Sequence, residues 1–342
     1  MAGRKLTVVI AQAPGKNPNK RQLEEDIAAQ LLIENTADVS LVPHLNDLAA
    51  DDSGTLWLRG LKGDVVVLAW LYPRATHWIL DRMGIKGREG TVLLRSGEED
   101  EEDAEPEAAS PDALGALNVP NRSVYALDLR IEAKPEVFLS EIRRIAREAT
   151  VETVSLDFFG LSSAPAASNG STNGSAAPHH APPASAEATR SDFTGTSKRR
   201  WYPVIDYSRC TNCMECIDFC LFGVYGLDDH ERILVEQQDN CKKGCPACSR
   251  VCPANAIIFP EHKTPGIAGA PVSGVSDFKI DLSKLFGAPS ALELAVMERD
   301  TELVADGRNA VGMTVGIPKR QSNQPEKPRD ALDDLIDGLD TF

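Results

Sequence analysis

Two stretches decide the fold of one part of this chain: CTNCMECIDFC, from Cys210 to Cys220, and CKKGCPACSRVCP, from Cys241 to Pro253. Together they hold all eight cysteines of a chain of 342 residues. Thiols this close together can serve disulfide bonds, zinc ions or iron–sulfur clusters. Disulfide frameworks belong to short secreted chains that lack a sufficient core, whereas this chain is long and 42% hydrophobic. The choice therefore lies between zinc and iron–sulfur clusters.

The spacing of the thiols favours iron–sulfur clusters. Structural zinc sites usually pair two C-x2-C units across a longer loop. Here each motif has three cysteines in quick succession and a fourth after three further residues. The first set is Cys210, Cys213, Cys216 and Cys220, and the second is Cys241, Cys245, Cys248 and Cys252. In C-x2-C-x2-C the chain can wrap a bulky ligand, so that three thiolates reach three corners of a cubane. Two zinc ions are the alternative.

The doubled motif resembles the bacterial-type ferredoxin family, whose members carry two [4Fe–4S] clusters. The resemblance covers about residues 201–260, including the flanking stretches VIDYSRC and CPANAIIFP. It implies an α+β ferredoxin-like domain in which the fourth cysteine of each motif binds the cluster of the other motif. By matching positions, one cluster is held by Cys210, Cys213, Cys216 and Cys252, and the other by Cys241, Cys245, Cys248 and Cys220.

Two positions depart from the family pattern. Leu221 stands where a proline usually follows the fourth cysteine, although Pro253 keeps that proline in the second motif. The second motif also has three residues, Lys242, Lys243 and Gly244, where two are usual. Because Gly244 can adopt a positive φ at little steric cost, we expect an intact cluster there with an altered loop.

The N-terminal portion, residues 1–160, alternates strand-like and helix-like stretches. The predicted strands are KLTVVIAQ, VSLVP, DVVVLAWL, TVLLRS and VYALDLR, and the predicted helices run from about Asn19 to Asn35, from Pro73 to near Gly84, and from Pro135 onward. The uninterrupted apolar run DVVVLAWL is typical of a parallel strand that is covered on both faces. The alternation predicts an α/β open sheet of about five strands, flavodoxin- or Rossmann-like.

Two stretches of this portion follow strands and could contact a ligand. APGKNPNK lies where doubly wound folds place a phosphate-binding turn, but it matches neither GxGxxG nor GxxxxGK[ST], so we expect a plain connection. At the end of the third strand, a recognition patch could be formed by Trp70, Tyr72, Arg74 and His77. Core packing with a surface arginine is the favoured interpretation of these four residues.

The remaining segments are expected to join or flank these domains. Eight acidic residues between Glu98 and Glu107 indicate a disordered acidic loop at about 97–112. The predicted domain order is completed by a flexible, disordered Ala/Ser/Gly/Pro linker at 161–198, the two-cluster domain at 199–263, and an extended tail at 264–342. In the tail we expect a helix at about 290–306, begun by a capping box, and an amphipathic acidic helix at about 330–340.

Charge and hydropathy indicate which partners and which cellular compartment to expect. The net charge of −15 argues against nucleic acid and suggests redox partner proteins with basic docking patches. The longest apolar run, Val65 to Tyr72, is too short to span a bilayer, so membrane insertion is not expected. A chain without a disulfide framework or a convincing leader is expected in the reducing cytoplasm, where thiols remain available as ligands.

The cysteine pattern makes an electron-transfer protein the leading hypothesis: a ferredoxin-like carrier, or the electron-relay subunit of a larger oxidoreductase. One alternative is a flavin- or nucleotide-dependent oxidoreductase in which the clusters are an internal relay. Another is an iron–sulfur redox sensor or scaffold. The residues outside the motifs indicate no catalytic set, so whether the chain is itself an enzyme stays open.

Overall fold

A computed structural model of the chain describes residues 5–94, 112–151, 187–193, 195, 198–271 and 289–317. The chain divides into two compact units. The first comprises Met1–Asp100 and Asn118–Lys198, and the second comprises Glu101–Leu117 and Arg199–Phe342. The chain therefore passes between the units at three places, whereas the sequence analysis predicted one linker.

The first unit contains a six-stranded sheet in which all neighbouring strands are parallel. Its elements are β1 (Leu6–Ala11), α1 (Pro18–Ile33), β2 (Ala37–Val42), α2 (Ser53–Gly60), β3 (Val65–Ala69), α3 (Pro73–Arg82), β4 (Arg88–Glu89), β5 (Ser123–Asp128), α4 (Pro135–Val151) and β6 (Arg190–Asp192). The strand order is β4-β5-β3-β1-β2-β6. The predicted open α/β sheet is confirmed, and α2 is an additional helix that the sequence analysis missed.

The core of this unit follows the predicted hydrophobic pattern. Apolar side chains of α1 and α4 lie in the buried core with those of the strands: Leu23, Ile27, Leu31, Phe138, Ile142 and Ile145. Every residue of β3 is buried, as its continuous apolar run predicts. The side chain of Asn17 caps α1 by accepting hydrogen bonds from the backbone of Asn19 and Lys20, with Pro18 in the first turn. The stretch after β1 is thus a helix start.

The strand predicted at TVLLRS is wrong for the described residues 91–94. A two-residue strand, β4, lies before that stretch. Side chains of α4 bind the backbone there instead: the amide of Leu93 donates to Oε1 of Glu141 at 2.8 Å, and Nη2 of Arg144 donates to the carbonyl of Thr91 at 2.8 Å. These contacts replace strand pairing.

One part of the predicted linker at 161–198 is corrected, because Arg190–Asp192 form β6, which pairs with β2. The amide of Thr189 donates to Oδ1 of Asp38 at 2.8 Å, and Nη1 of Arg190 lies 2.7 Å from Oε2 of Glu25. These contacts hold the end of the stretch on the sheet. Residues 152–186, most of the predicted acidic loop and the helix predicted at about 330–340 lie outside the described residues.

The second unit contains two short antiparallel strand pairs and two short helices beside the cysteine motifs. Its elements are β7 (Val204–Ile205), α5 (Glu215–Phe219), β8 (Tyr225–Leu227), β9 (Ile233–Val235), α6 (Ala247–Val251), β10 (Ile257–Ile258), α7 (Pro265–Ala268) and α8 (Ala291–Ala305). Strand β7 pairs with β10, and β8 pairs with β9. Each motif begins a helix one residue before its third cysteine, Cys216 in α5 and Cys248 in α6. The described part of the chain has no helix long and apolar enough to cross a membrane.

Helix α8 lies in the region that the sequence analysis assigned to an extended tail. The predicted capping box is confirmed: Ser290 accepts a hydrogen bond from the amide of Glu293, whose side chain accepts one from the amide of Ser290. Ala295 and Val296 of α8 share a hydrophobic cluster with Phe219. This part of the tail therefore packs on the cysteine motifs.

Candidate metal centre

Two small cavities lie beside the cysteine motifs. The first cavity, here called site I, is lined by the thiols of Cys210, Cys213, Cys216 and Cys252. The second, site II, is lined by those of Cys220, Cys241, Cys245 and Cys248. Each site thus brings together three thiols of one motif and the fourth thiol of the other. All eight sequence-predicted ligands lie at one of the two sites.

Left-handed residues allow each motif to curve around its cavity. The residue before the second cysteine has a positive φ in both motifs, +57° for Asn212 and +93° for Gly244. Asn212 is held by its own side chain, which donates to the carbonyl of Glu231 and accepts from the amide of Ile233, both at 2.9 Å. The positive φ of Gly244 is as predicted. No atom lies within 4 Å of a Cβ built at this position, so the loop has room for the extra residue.

Burial raises the pKa of thiols at both sites. Burial raises the pKa of Cys245 to about 12, against a backbone hydrogen bond from Ala247 that lowers it. Burial also raises the pKa of Cys216 and Cys248 well above the ordinary value. Neighbouring thiols add to the effect: Cys252 acts on Cys216, and Cys220 acts on Cys248. Because the thiolate is the metal ligand, a metal that binds here displaces thiol protons.

Hydrogen-bond donors point at sulfur atoms in both sites. At site I the amide of Ala256 donates to Sγ of Cys252 at 3.2 Å. At site II the hydroxyl of Tyr225 donates to Sγ of Cys248 at 3.1 Å. Such bonds stabilise negative charge on sulfur and help to set the reduction potential of an iron–sulfur cluster. Four buried or half-buried thiols, one of them accepting a hydrogen bond at sulfur, therefore fit a [4Fe–4S] cluster at each site.

The donor arrangement differs from that of a site for one ion. Among the residues that the structure describes, no group of three or more His, Cys, Asp or Glu side chains is placed to hold a metal ion. A zinc ion draws its thiolates to about 2.3 Å from one centre. A cubane presents a separate iron atom to each thiolate, so its ligands lie farther apart. The preference for clusters over zinc rests on the spacing of the cysteines in the two motifs.

A segment outside the two motifs, residues 112–117, packs beside site I. The amide of Leu114 donates to the carbonyl of Cys210 at 2.8 Å, and the amide of Gly115 donates to the carbonyl of Tyr207 at 2.8 Å. Nη2 of Arg232 donates to the carbonyl of Gly115 at 2.6 Å. The sequence analysis missed this contribution, because the segment has no motif and adjoins the predicted acidic loop.

Helix α8 packs beside site II. The guanidinium of Arg250 binds both carboxylate oxygens of Glu298 at 2.9 Å, and Nζ of Lys242 lies 2.6 Å from Oδ2 of Asp306. Arg299 of the same helix lines the cavity with its side chain almost fully buried. No sequence signal pointed to Arg299, since charged residues of a helix are ordinarily expected in water.

The connection between β1 and α1 is hydrogen-bonded to a buried carboxylate of the same unit. Glu24 is fully buried and accepts hydrogen bonds from the amide of Ala13 at 2.6 Å and from Nε1 of Trp70 at 2.8 Å. Nη1 of Arg21 donates to its other oxygen at 2.8 Å. Because Glu24 belongs to α1, these hydrogen bonds tie the turn after β1 to that helix.

The other residues of the candidate recognition patch have separate surroundings. The guanidinium of Arg130 lies 3.8 Å from the ring centre of Tyr72 and pairs with Asp128. His77 is buried in α3, whereas Arg74 is half-buried. These positions favour the packing interpretation over a recognition patch.

Comparisons with known proteins identify relatives for one segment of the chain. No protein-family model and no solved structure matches it. The chain is 48% identical to an uncharacterised ferredoxin of Methanocaldococcus jannaschii over 66 residues, 19% of this chain and 44% of that protein. It is 38% identical to the pyruvate synthase subunit PorD of the same organism over 64 residues, 19% of this chain and 71% of that subunit. With PorD of Methanothermobacter marburgensis the identity is 37% over 76 residues, 22% of this chain and 85% of that subunit.

The share of each chain that these matches cover limits the conclusions that can be drawn from them. The matched segment spans less than half of the first relative and most of the other two. The three relatives support an iron–sulfur electron-transfer role for that segment. About four-fifths of this chain lies outside each match, so the comparisons carry no information on the role of the parallel sheet.

Proposed function

This chain belongs to the ferredoxin family through a segment of about a fifth of its length, and from that premise we propose that it transfers single electrons through two [4Fe–4S] clusters. One cluster is bound at site I by Cys210, Cys213, Cys216 and Cys252, and the other at site II by Cys220, Cys241, Cys245 and Cys248. When bound, such a cluster supplies reversible one-electron transfer. The observation that carries the proposal is the crossed grouping of eight thiols around two cavities.

The residues around the thiols exclude water and fix the ligands. The ring of Trp201 stacks on that of Phe259 with the ring centres 5.4 Å apart, and its Nε1 donates to the carbonyl of Cys245 at 3.3 Å. Tyr225 donates to a ligand sulfur of the same site. A rigid, apolar surrounding lets the protein gain and lose an electron with little rearrangement, as an electron carrier requires.

We further propose that the chain works with other redox proteins, either as a carrier or as the electron-relay subunit of a larger oxidoreductase. Two relatives are named as subunits of pyruvate synthase, which supports the subunit role. The net charge of −15 favours partners with basic docking patches, through attraction that weakens with salt. A reducing cytoplasm suits a protein whose thiols must stay free for iron.

Repeated reduction and reoxidation of the anaerobically purified full chain tests this function. We expect dithionite to bleach the visible absorbance, a one-electron acceptor protein to restore it, and circular dichroism to stay unchanged over several cycles. The control is the double variant Cys216→Ser/Cys248→Ser, which lacks one ligand at each site and should not cycle. Irreversible bleaching with loss of structure in the unmodified protein would contradict an electron carrier and support the sensor or scaffold alternative.

A further inference from the structure

Arg299 is a charged side chain placed in the interior of the second unit. It is 1% exposed, and it lines site II together with Cys220 and Phe219. Its guanidinium carbon lies 4.6 Å from the ring centre of Phe219. A buried guanidinium is unfavourable unless its donors are satisfied and its charge is compensated. The contacts of the Arg299 guanidinium therefore show how its burial is compensated.

Three hydrogen bonds hold the guanidinium. Nη1 donates to the carbonyl of Val315 at 2.9 Å, Nη2 donates to the carbonyl of Gly312 at 2.7 Å, and Nε donates to Oδ1 of Asp300 at 3.1 Å. The other oxygen of Asp300 accepts a hydrogen bond from the amide of Gly312 at 2.6 Å. Arg299 and Asp300 thus form a fixed pair of opposite charges between α8 and the segment that follows it.

The arginine is the member of this pair that lies at the cavity. Arg299 and Lys242 line site II, whereas Asp300 does not. Site I differs in charge. The described residues that line it are cysteines and other side chains without a positive charge. The interaction between charges strengthens as their separation falls and as water is excluded. In keeping with this, burial raises the pKa of Cys220, and the charge of Arg299 lowers it.

We propose that Arg299 raises the reduction potential of the cluster at site II, and that Asp300 opposes it. The inference rests on the proposed function, because it presupposes a cluster at that site. Reduction adds one negative charge to site II, and a guanidinium already fixed beside the cavity stabilises that charge without rearranging. Arg299 acts through the electric field of its positive charge and binds no iron.

Redox titration of the full chain, followed by electron paramagnetic resonance, tests the inference with two variants of opposite charge change. Arg299→Met removes the positive charge and keeps an unbranched apolar side chain. Asp300→Asn removes the negative charge and keeps an oxygen that can accept from the amide of Gly312. We expect the first to lower the potential of one transition and the second to raise that same transition. A purely structural loosening would shift both variants in the same direction.

The transition of site II is assigned with Cys220→Ala, which removes a ligand there. The control is Arg308→Met, because Arg308 is exposed and donates to the carbonyl of Leu221 at 2.9 Å in the same region. It should leave both potentials unchanged. Equal shifts in Arg299→Met and Asp300→Asn, or no shift in either, would overturn the inference.

Two measurements separate this test from that of the proposed function. Iron and acid-labile sulfide are determined in every variant. If the unmodified protein binds neither, the proposed function fails. If Arg299→Met and Asp300→Asn hold full clusters with the same potentials as the unmodified protein, only the role of Arg299 fails. Should Arg299→Met lose its cluster, Asp300→Asn decides alone: a raised potential supports the inference, and an unchanged or lowered one overturns it.

Discussion

The hydroxyl of Tyr225 donates a hydrogen bond to Sγ of Cys248 across 3.1 Å, and both side chains are buried. Tyr225 follows the first motif, whereas Cys248 belongs to the second. Cys220, also from the first motif, lines the same cavity. In return, Cys252 of the second motif lines site I. Neither motif builds a complete site alone, so the two sites are expected to fold together.

Removing the hydroxyl in Tyr225→Phe should lower the reduction potential of the cluster at site II. A sulfur hydrogen bond favours the reduced, more negative form, and such a bond is worth about 1 kcal/mol. Since 59 mV in a one-electron couple corresponds to a factor of ten, the expected shift is on the order of tens of millivolts. Redox titration measures it.

Tyr207→Phe is the matched control for that variant. The hydroxyl of Tyr207 donates to a backbone carbonyl, that of Ile233, at 2.9 Å. It should leave the potential of site II unchanged. An equal shift in the two variants would show that the sulfur hydrogen bond has no special effect.

Crossed ligation predicts which cysteine variants resemble each other. Both Cys220→Ala and Cys245→Ala should lose the cluster of site II, although Cys220→Ala keeps the three early thiols of the first motif. Cys252→Ala should lose the cluster of site I and resemble Cys213→Ala. The iron content of each should fall by about half, since one of two four-iron clusters is lost. If the spectrum of Cys220→Ala instead matched that of Cys213→Ala, ligation within each motif would replace the crossed arrangement.

The segment after α8 should be displaced by Gly316→Ala. A Cβ at Gly316 would lie 2.8 Å from the carbonyl of Asp218 and 3.2 Å from Nη1 of Arg299. Gly316 and Gly307 both have a positive φ, +68° and +75°, so alanine costs about 1 kcal/mol of conformational strain at either position. Only Gly316→Ala adds the steric overlap, worth about 1–3 kcal/mol more.

Thermal unfolding and hydrogen exchange of residues 312–317 check this expectation. Gly307→Ala is the control, because no atom lies within 4 Å of the added Cβ. Faster exchange is expected in the Gly316 variant alone. Equal destabilisation of both variants would mean that the close approach of Gly316 to α5 is unimportant.

An ion pair in the first unit should make its stability depend on pH under acidic conditions. Arg143 donates to Glu34 through Nε and Nη2, at 2.9 and 2.6 Å. These hydrogen bonds hold the pKa of Glu34 at about 2, below its ordinary 4.5. A lowered pKa in the folded state gives stability that is complete above the unfolded value, about pH 4.5, and is lost as pH falls towards 2.

Glu34→Gln should therefore lower the free energy of unfolding at neutral pH by about 1 kcal/mol, because solvent screens this partly exposed pair. The difference between the unmodified protein and the variant should shrink as the pH falls below about 4.5. Urea unfolding followed by circular dichroism at several pH values measures that difference. A difference independent of pH would refute the assignment.

The resemblance to two-cluster ferredoxins implied which thiols belong to each site, and the two cavities of the structure group the same thiols. The sequence also predicted the start of α8, since a capping box is a local pattern. It did not predict the surroundings of site II. Arg299 lies between Glu298 and Asp300 in a stretch that indicates a solvated helix face. Its burial depends on carbonyl groups more than ten residues away, which no local pattern reveals.

Contacts with residues that are distant in sequence also explain why two predictions for the first unit were wrong. TVLLRS is strand-like in sequence, yet the amide of Leu93 is bound by Glu141, 48 residues along the chain. A composition rich in Ala, Ser, Gly and Pro favoured a linker at 161–198, yet Thr189 binds Asp38 of β2 and Arg190 binds Glu25 of α1. Contacts between distant side chains and backbone decided both places.

Elemental analysis of the full chain, purified without oxygen, tests the central claim most directly. Two [4Fe–4S] clusters predict about eight iron atoms and about eight acid-labile sulfides per chain. Stoichiometric zinc, with neither iron nor inorganic sulfide, would contradict the clusters and the electron-transfer role together.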